Sequence, residues 1–376
     1  MLRVKNDIEK RIKIVFIQGG FRLGGGERQI LYFLKYIDRK KIEPYLITYT
    51  NEGPLFTEVP KDIEVFNLEE KTRNKLIQLW CLFNILKSIS PQFVYCNLAG
   101  TSIPLAIIRI FTKPFWVNTK FVISVVNNVN YYKPMHKKLA YLLYKYFDYV
   151  LACSTGIYEQ LKNEMNLRPS KLGILFNAVD TDFIDKRGKD KVNHQWFSTD
   201  IPLIITVASL IPQKSMHDLI NAFVLVRKKI NSRLIIIGDG VERPKLEKLV
   251  SNLDLNSYVD ILGYQVNSNR FVAKANVFLL TSKYEGLATV LLEAAIVKTP
   301  IVCTNAPYGS ADVVKDKSMG IIVEVGNVKG VAQGIIKMLI DKKYAKNCSD
   351  NLYNRIVAEF SVQNVVAKFE RIISSL

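Results

Sequence analysis

The chain has 376 residues, of which 49% are hydrophobic and 23% charged, and a formal net charge of +18. That length suits two domains better than one core, and that balance excludes a disordered chain. Five scattered cysteines without a CxxC pair, and three histidines that do not cluster with them, argue against a disulfide framework or structural zinc and fit a reducing cytoplasm.

The opening MLRVKNDIEKRIKIVFIQGG contains no apolar stretch of signal-peptide length. Residues 12–17 (IKIVFI) read as a buried strand, followed by a glycine-rich turn and a helix over 27–37. Further strands are expected at 44–49, 93–96, 121–125, 149–152 and 174–177, separated by helical stretches. The apolar region 93–117 is broken by Asn97, Pro104, Arg109 and Lys113, which argues against a membrane span. The polar run DKRGKD at 185–190 reads as a linker. The alternation then restarts, with strands at 203–207, 234–238, 259–262, 277–280, 301–303 and 321–323 and helices over 216–230 and 242–253. An amphipathic helix at 362–374 is suited to brace the first domain. The expectation is α/β: two doubly wound, Rossmann-like domains facing across a cleft, without internal repeats. Parallel sheets of this kind bind ligands beyond the carboxyl ends of their strands.

Charge is uneven. Residues 1–195 hold 30 Lys and Arg against 18 Asp and Glu, whereas residues 196–376 hold 22 against 16. A basic aromatic stretch contains Tyr131, Tyr132, Lys133, His136, Lys137, Lys138, Tyr141, Tyr144, Lys145 and Tyr146. It fits docking to an anionic membrane surface, and equally a solvated helix face. No nucleic-acid fold signature accompanies it, so no nucleic-acid partner is expected.

Three constellations carry chemistry. The first is YEGLATVLLEAA at 284–295, after the strand VFLL. Gly286 permits a tight turn, and a helix opens near Thr289 whose first N–H groups are unpaired at the positive end of the dipole. Such an end suits a diphosphate. Glu293, one turn in, can accept from vicinal hydroxyls, and Glu285 from a sugar hydroxyl. Two carboxylates eight residues apart are also common as solvent-facing charges, but the apolar flanks Val290, Leu291, Leu292, Ala294 and Ala295 leave little exposed face. The second is TVASLIPQKS at 206–215, where Lys214 stands in a strand-to-helix loop. It is either a solvated cation or a phosphate contact. The third is QGGFRLGGGER at 18–28, where glycines allow close backbone approach to a ligand or close helix packing. Its spacing matches neither GxGxxG nor the phosphate loop GxxxxGK[ST]. No HExxH, DxD metal pair or serine nucleophile elbow is present, and histidine is scarce.

Taken together, LGGGERQ at 23–29, FNAVDTDFI at 176–184, VASLIPQKS at 207–215, IIIGDG at 235–240, ILGY at 261–264, YEGLATVLLEA at 284–294 and GIIVEVGN at 320–327 resemble the retaining glycosyltransferases of family 4, with the two-domain GT-B fold. The resemblance covers almost the whole chain. It implies an N-terminal acceptor-binding domain at 1–190, a C-terminal nucleotide-sugar domain at 191–358, and a bracing helix at 359–376. It implies that Lys214 contacts the donor diphosphate, Glu293 holds the ribose and Glu285 positions the donor sugar. Gly286, Leu287, Ala288 and Thr289 then cradle sugar and phosphates, Gly24, Gly25 and Gly26 lie near donor phosphate and acceptor, and Gly263 and Tyr264 lie near the base. The family works without a metal and retains anomeric configuration.

Two positions depart from the family pattern. Ser209 stands where many members carry arginine, which removes one positive charge from the diphosphate. Val126, Asn127 and Asn128 stand where many carry histidine; Asn127 can hydrogen-bond a sugar but cannot titrate. The stretch TNAPYGSADVV at 304–314 resembles members that build cell-surface glycans. The reading is therefore a cytoplasmic hexosyltransferase, peripheral at the inner face of the membrane, using a UDP-linked sugar and a glycan or lipid-linked acceptor, with no cofactor. The alternatives are an inactive transferase-like nucleotide- or membrane-binding partner, or a nucleotide-sugar epimerase on the same fold.

Overall fold

The computed structural model describes residues 11–21, 24–113 and 116–376. The start of the chain, and Arg22 and Leu23 of the glycine-rich loop, lie outside the described residues. So do Pro114 and Phe115, within the apolar region read at 93–117. The chain divides into two compact units. The first runs to Cys153, takes in Ile157–Ala178 and closes with Val365–Leu376; the second comprises Ser154–Gly156 and Val179–Asn364.

The first unit contains β1 (Ile12–Gln18), α1 (Gly25–Tyr36), β2 (Ile42–Thr48), β3 (Glu64–Asn67), α2 (Lys75–Ile89), β4 (Phe93–Cys96), α3 (Ala99–Thr112), β5 (Lys120–Val125), α4 (Pro134–Leu143), β6 (Tyr149–Ala152), α5 (Thr155–Asn163, whose first two residues belong to the second unit) and β7 (Leu172–Ile174). Its seven strands are all parallel, in the order β3-β2-β1-β4-β5-β6-β7. Strands covered on both faces need apolar residues at nearly every position, and FVYC of β4 is buried throughout. β3 (EVFN) was not expected. It is an edge strand with an exposed first residue, so it lacks that continuous run. β7 ends at Ile174, where the reading expected a strand at 174–177. Beyond it, the buried Gln29 side chain takes over the backbone of Ala178, accepting from its N–H at 2.8 Å and donating to its carbonyl at 3.0 Å.

The second unit contains α6 (Thr181–Gly188), β8 (Leu203–Val207), α7 (Met216–Arg227), β9 (Arg233–Ile237), α8 (Arg243–Asn252), β10 (Val259–Gly263), α9 (Asn269–Val272), β11 (Val277–Leu280), α10 (Thr289–Ile296), β12 (Ile301–Thr304), α11 (Ser310–Val313), β13 (Ile321–Val323), α12 (Val328–Ile340) and α13 (Lys342–Phe360). Its six strands are parallel, in the order β10-β9-β8-β11-β12-β13. A core of Ile204, Phe223, Leu234, Leu279, Val302 and Ile335 joins this sheet to α7 and α12.

The polar stretch at 185–190 is not simply a linker, because α6 runs through most of it. The Asp180 side chain caps that helix by accepting from Phe183 N–H at 3.0 Å, and Ile184 turns inward at 3% exposure. The charged residues mark its outer face. Gly188 packs so closely that a Cβ there would lie 2.8 Å from Val297 Cγ1. The chain passes from one unit to the next at Ala178–Val179, ahead of this helix. The last helix, α14 (Val362–Ser375), returns to the first unit. There Phe369 stacks on Phe33 at 4.5 Å between ring centroids and meets Tyr95 edge-on at 5.2 Å.

Candidate active site

In each unit the first strand lies between the second and the fourth, so the chain leaves it in opposite directions on its two sides. Loops part at such a reversal, at the carboxyl ends of the strands, and leave a place for a ligand. In the second unit the reversal lies between β8 and β11.

Both loops at that point are locked together. After β8 the chain makes a short 3-10 turn at Pro212–Lys214, and Ser215 adopts left-handed backbone (φ 46°) before α7 begins. After β11, Thr281 Oγ1 donates to Lys214 O at 3.0 Å and lies 3.2 Å from Ser215 O. Gln213 Nε2 donates to Tyr284 O at 2.8 Å, and Lys283 N–H donates to Gln213 O at 2.8 Å. This frame brings Lys214 Nζ to 2.5 Å from Glu285 Oε1, and Ser282 Oγ donates to the same oxygen at 2.5 Å. The pair is largely removed from water: the side chains are 17% (Lys214) and 8% (Glu285) exposed.

From Glu285 the chain enters α10. Its N-cap residue, Ala288, offers no side-chain cap, and its first turn holds no acid. Thr289 and Val290 are half-buried, whereas Gly286, Leu287 and Ala288 are buried. Gly286 does not adopt positive φ, contrary to the tight-turn reading. The left-handed residue nearby is Tyr308 (φ 81°), and the following segment presses on the loop, so that a Cβ at Gly309 would lie 2.3 Å from Gly286 O. Glu293 is half-buried on α10.

The rim continues across β8, β9 and β10. Gly238 (φ 138°) sits against Ala208, Gly240 (φ 158°) against Leu210, and Gly263 (φ 70°) against the Arg243 guanidinium. Ser209 is exposed on this rim and Tyr264 is 55% exposed. Ser209, Lys214, Gly263, Tyr264, Glu285 and Glu293 thus belong to one unit, at or beyond the carboxyl ends of β8, β10 and β11.

The remaining predicted residues belong to the first unit. Gly24 is the N-cap of α1, and Gly25 and Gly26 open that helix. None of the three has positive φ, so their value is closeness. A Cβ on Gly24 would lie 2.2 Å from Glu27 Oε2, and one on Gly26 3.1 Å from Leu98 Cδ2. The Glu27 carboxylate therefore already stands at the positive end of α1, where a negative charge is favoured. Asn127 is exposed just past β5, while its buried neighbour Asn128 is occupied, accepting from Asn130 N–H and Gln160 Nε2, both at 2.7 Å.

Sequence reasoning missed Ser282, Thr281 and Gln213 as the frame around the ion pair, because short polar side chains have too many potential partners in a linear reading. It also missed a polar pair at the first unit's own reversal, between β1 and β4. Asn97 Nδ2 donates to Gly26 O at 2.6 Å, while Asn97 Oδ1 and Gln18 Oε1 are buried without a hydrogen-bond partner. Such orphaned acceptors are rare in folded chains.

Two family models divide the chain between them: Glycosyltransferase Family 4 over residues 23–183 and Glycosyl transferases group 1 over residues 189–355. The chain belongs to glycosyltransferase family 4. This transferase is 28% identical over 342 residues to an N-acetylgalactosamine-N,N'-diacetylbacillosaminyl-diphospho-undecaprenol 4-alpha-N-acetylgalactosaminyltransferase of Campylobacter jejuni, which covers 86% of this chain and 89% of the relative. An alpha-1,4-N-acetyl-D-galactosaminyltransferase of the same organism, acting on a GalNAc-GalNAc-diNAcBac-PP-undecaprenol, is 24% identical and covers 97% of this chain and 99% of itself. Among solved structures, Anabaena HepE in complex with UDP superposes with a TM-score of 0.81 at 19% identity, covering 97% of this chain and all (100%) of HepE. The family 4 enzyme is therefore a glycosyltransferase with the GT-B fold, two parallel-sheet α/β domains.

Proposed function

We propose that this transferase moves a hexosyl group from a UDP-sugar to a lipid-linked glycan, with retention of configuration and without a resident metal, in the assembly of a cell-surface polysaccharide. The observation that carries this reading is the Lys214–Glu285–Ser282 cluster at the second unit's strand reversal. A diphosphate leaving group needs positive charge as its bond to the sugar breaks. A cation held in a largely dry site supplies that charge at little reorganisation cost. Lys214, together with the amides that open α10, is the group on hand to do so. Glu285, relieved of Lys214, accepts a donor-sugar hydroxyl, and Glu293 accepts from the ribose. Among the described residues, no three His, Cys, Asp or Glu side chains group as a metal would require.

Two relatives support the finer choices. HepE was solved with UDP, and the first Campylobacter transferase is named for an undecaprenol diphosphate acceptor. Asn97 and Gln18 suit the hydroxyl-rich acceptor, since both carry unmet acceptors.

The test is nucleoside diphosphate release from a panel of UDP-sugars with a polyprenyl-diphosphate glycan, with and without EDTA. The expected result is turnover that EDTA leaves unchanged and an α-configured product by NMR. Lys214→Ala should lose about 10²–10³-fold in kcat. Glu293→Gln should mainly raise KM for the donor, and Asn97→Ala should raise KM for the acceptor alone. Lys214→Ala turning over as fast as the native enzyme would overturn the assignment. Absence of turnover in both, with UDP still bound, would favour the inactive partner.

A further inference from the structure

A hollow of about 450 Å³ lies at the opposite end of the second unit's sheet from the candidate active site. It is lined by Asn276 and Pro300, which immediately precede β11 and β12, and by side chains of α12 and α13. Helix α10 relates it to the site already described. Thr289 opens that helix soon after Glu285, whereas Lys298, just past its other end, reaches the hollow. The hollow is therefore a separate place for a ligand, with the volume of an ordinary small-molecule site.

Its lining combines carbon surface with an excess of cations. Met338 and Ala345 are buried, and with Ala275 and Pro300 they supply the carbon surface. Lys298, Lys342 and Lys346 line the same hollow against a single carboxylate, that of Asp350. Lys298 Nζ takes that carboxylate at 2.9 Å. Neither Lys342 nor Lys346, one turn apart on α13, has a carboxylate partner among the described residues, so two positive charges are left over. Cations gathered in a concave site repel one another, and apolar walls strengthen their field. Asn276 adds a donor: its Oδ1 accepts from Leu203 N–H at 2.7 Å, which fixes the amide and leaves Nδ2 over. Lys298 is held in left-handed backbone (φ 57°), which is unfavourable for a residue with a Cβ and which glycine adopts freely. Strain of this kind gathers where ligands are held.

We propose that this hollow binds a small phosphate monoester, its phosphate met by Lys342 and Lys346 and its carbon portion resting on Met338, Ala345 and Pro300. The two surplus charges match a dianion, which a phosphate monoester becomes above about pH 6. Lysine serves phosphate as a point charge, without the fixed geometry that an arginine fork would demand. A monocarboxylate would answer only one of the two ammonium groups. The site is independent of the proposed transfer reaction, since it shares no residue with the donor site.

The experiment is calorimetric titration of the full chain with phenyl phosphate at about pH 8, where the ligand is a dianion, with and without saturating UDP. One equivalent should bind in either case. Inorganic phosphate should bind at least about threefold more weakly, because it leaves the carbon surface uncovered. Lys342→Gln with Lys346→Gln should weaken phenyl phosphate at least about tenfold, through the loss of two charge-assisted contacts. Lys248→Gln with Lys329→Gln, at exposed positions elsewhere on the second unit, should leave it unchanged. All four lysines are exposed, so both double variants should unfold at the native temperature when free of ligand. No binding to the native chain, or binding undiminished by the first double variant, would overturn the proposal. Binding that UDP abolishes would overturn it too, by assigning the phosphate to the site already described. Equal losses in the two double variants would reduce it to the general attraction of a chain with a net charge of +18. Equal affinity for inorganic phosphate would remove the role given to the carbon surface.

Discussion

One oxygen of Glu285 takes both the Lys214 ammonium and the Ser282 hydroxyl, which makes the cluster sensitive to loss of any member. Burying an ion pair gains little net stability, but removing one partner leaves an unmatched charge out of water. Lys214→Met and Glu285→Gln should each cost about 3 kcal/mol in urea denaturation, and the double variant clearly less than the sum. Strict additivity would mean that the two side chains do not depend on each other. Lys214 and Glu285 stood out in the sequence because each follows a buried strand of the second unit within a few residues, and the structure brings the two into contact. Gln213 and Thr281 did not, since their roles come from loops 71 and 67 residues apart being folded against each other. The conformational role given to Gly286 belongs instead to Tyr308 and the tight approach of Gly309.

At the scale of elements, the left-handed glycines of the second unit divide by what surrounds them. Gly238 has φ 138°, and a Cβ there would lie 1.9 Å from Ala208 O; Gly326 has φ 81° with nothing within 4 Å. Gly326→Ala should therefore cost only the left-handed penalty, about 1 kcal/mol. Gly238→Ala must also push the β8 loop aside. It should lower Tm further and blunt the thermal response to UDP, as differential scanning fluorimetry would show. Equal shifts for the two would refute the close packing of these loops. Most strands were legible because buried parallel strands are continuously apolar. The edge strand β3 and helix α6 were not: the first is partly exposed, and the second shows its charged face to any reader of composition while hiding Ile184.

For the whole molecule, all five cysteines are free and buried. Burial pushes the thiols of Cys96 and Cys303 up to about 12, so neither forms appreciable thiolate at pH 8. Native protein should resist iodoacetamide at that pH and react at all five cysteines only once unfolded, as mass spectrometry of tryptic peptides would show. Phe369 on α14 is fully buried among Phe16, Phe33 and Tyr95. Phe369→Ala should cost about 3–5 kcal/mol, felt in the first unit although the residue lies at the far end of the chain.

That last placement sets an order of maturation. Domains ordinarily fold as they leave the ribosome, amino end first. Here the first unit cannot complete its aromatic core until the final helix has been synthesised and released, so the second unit, begun later, is finished sooner. A chain truncated ahead of α14 should carry a protease-sensitive first unit and a resistant second one, and premature termination near the end should damage the beginning.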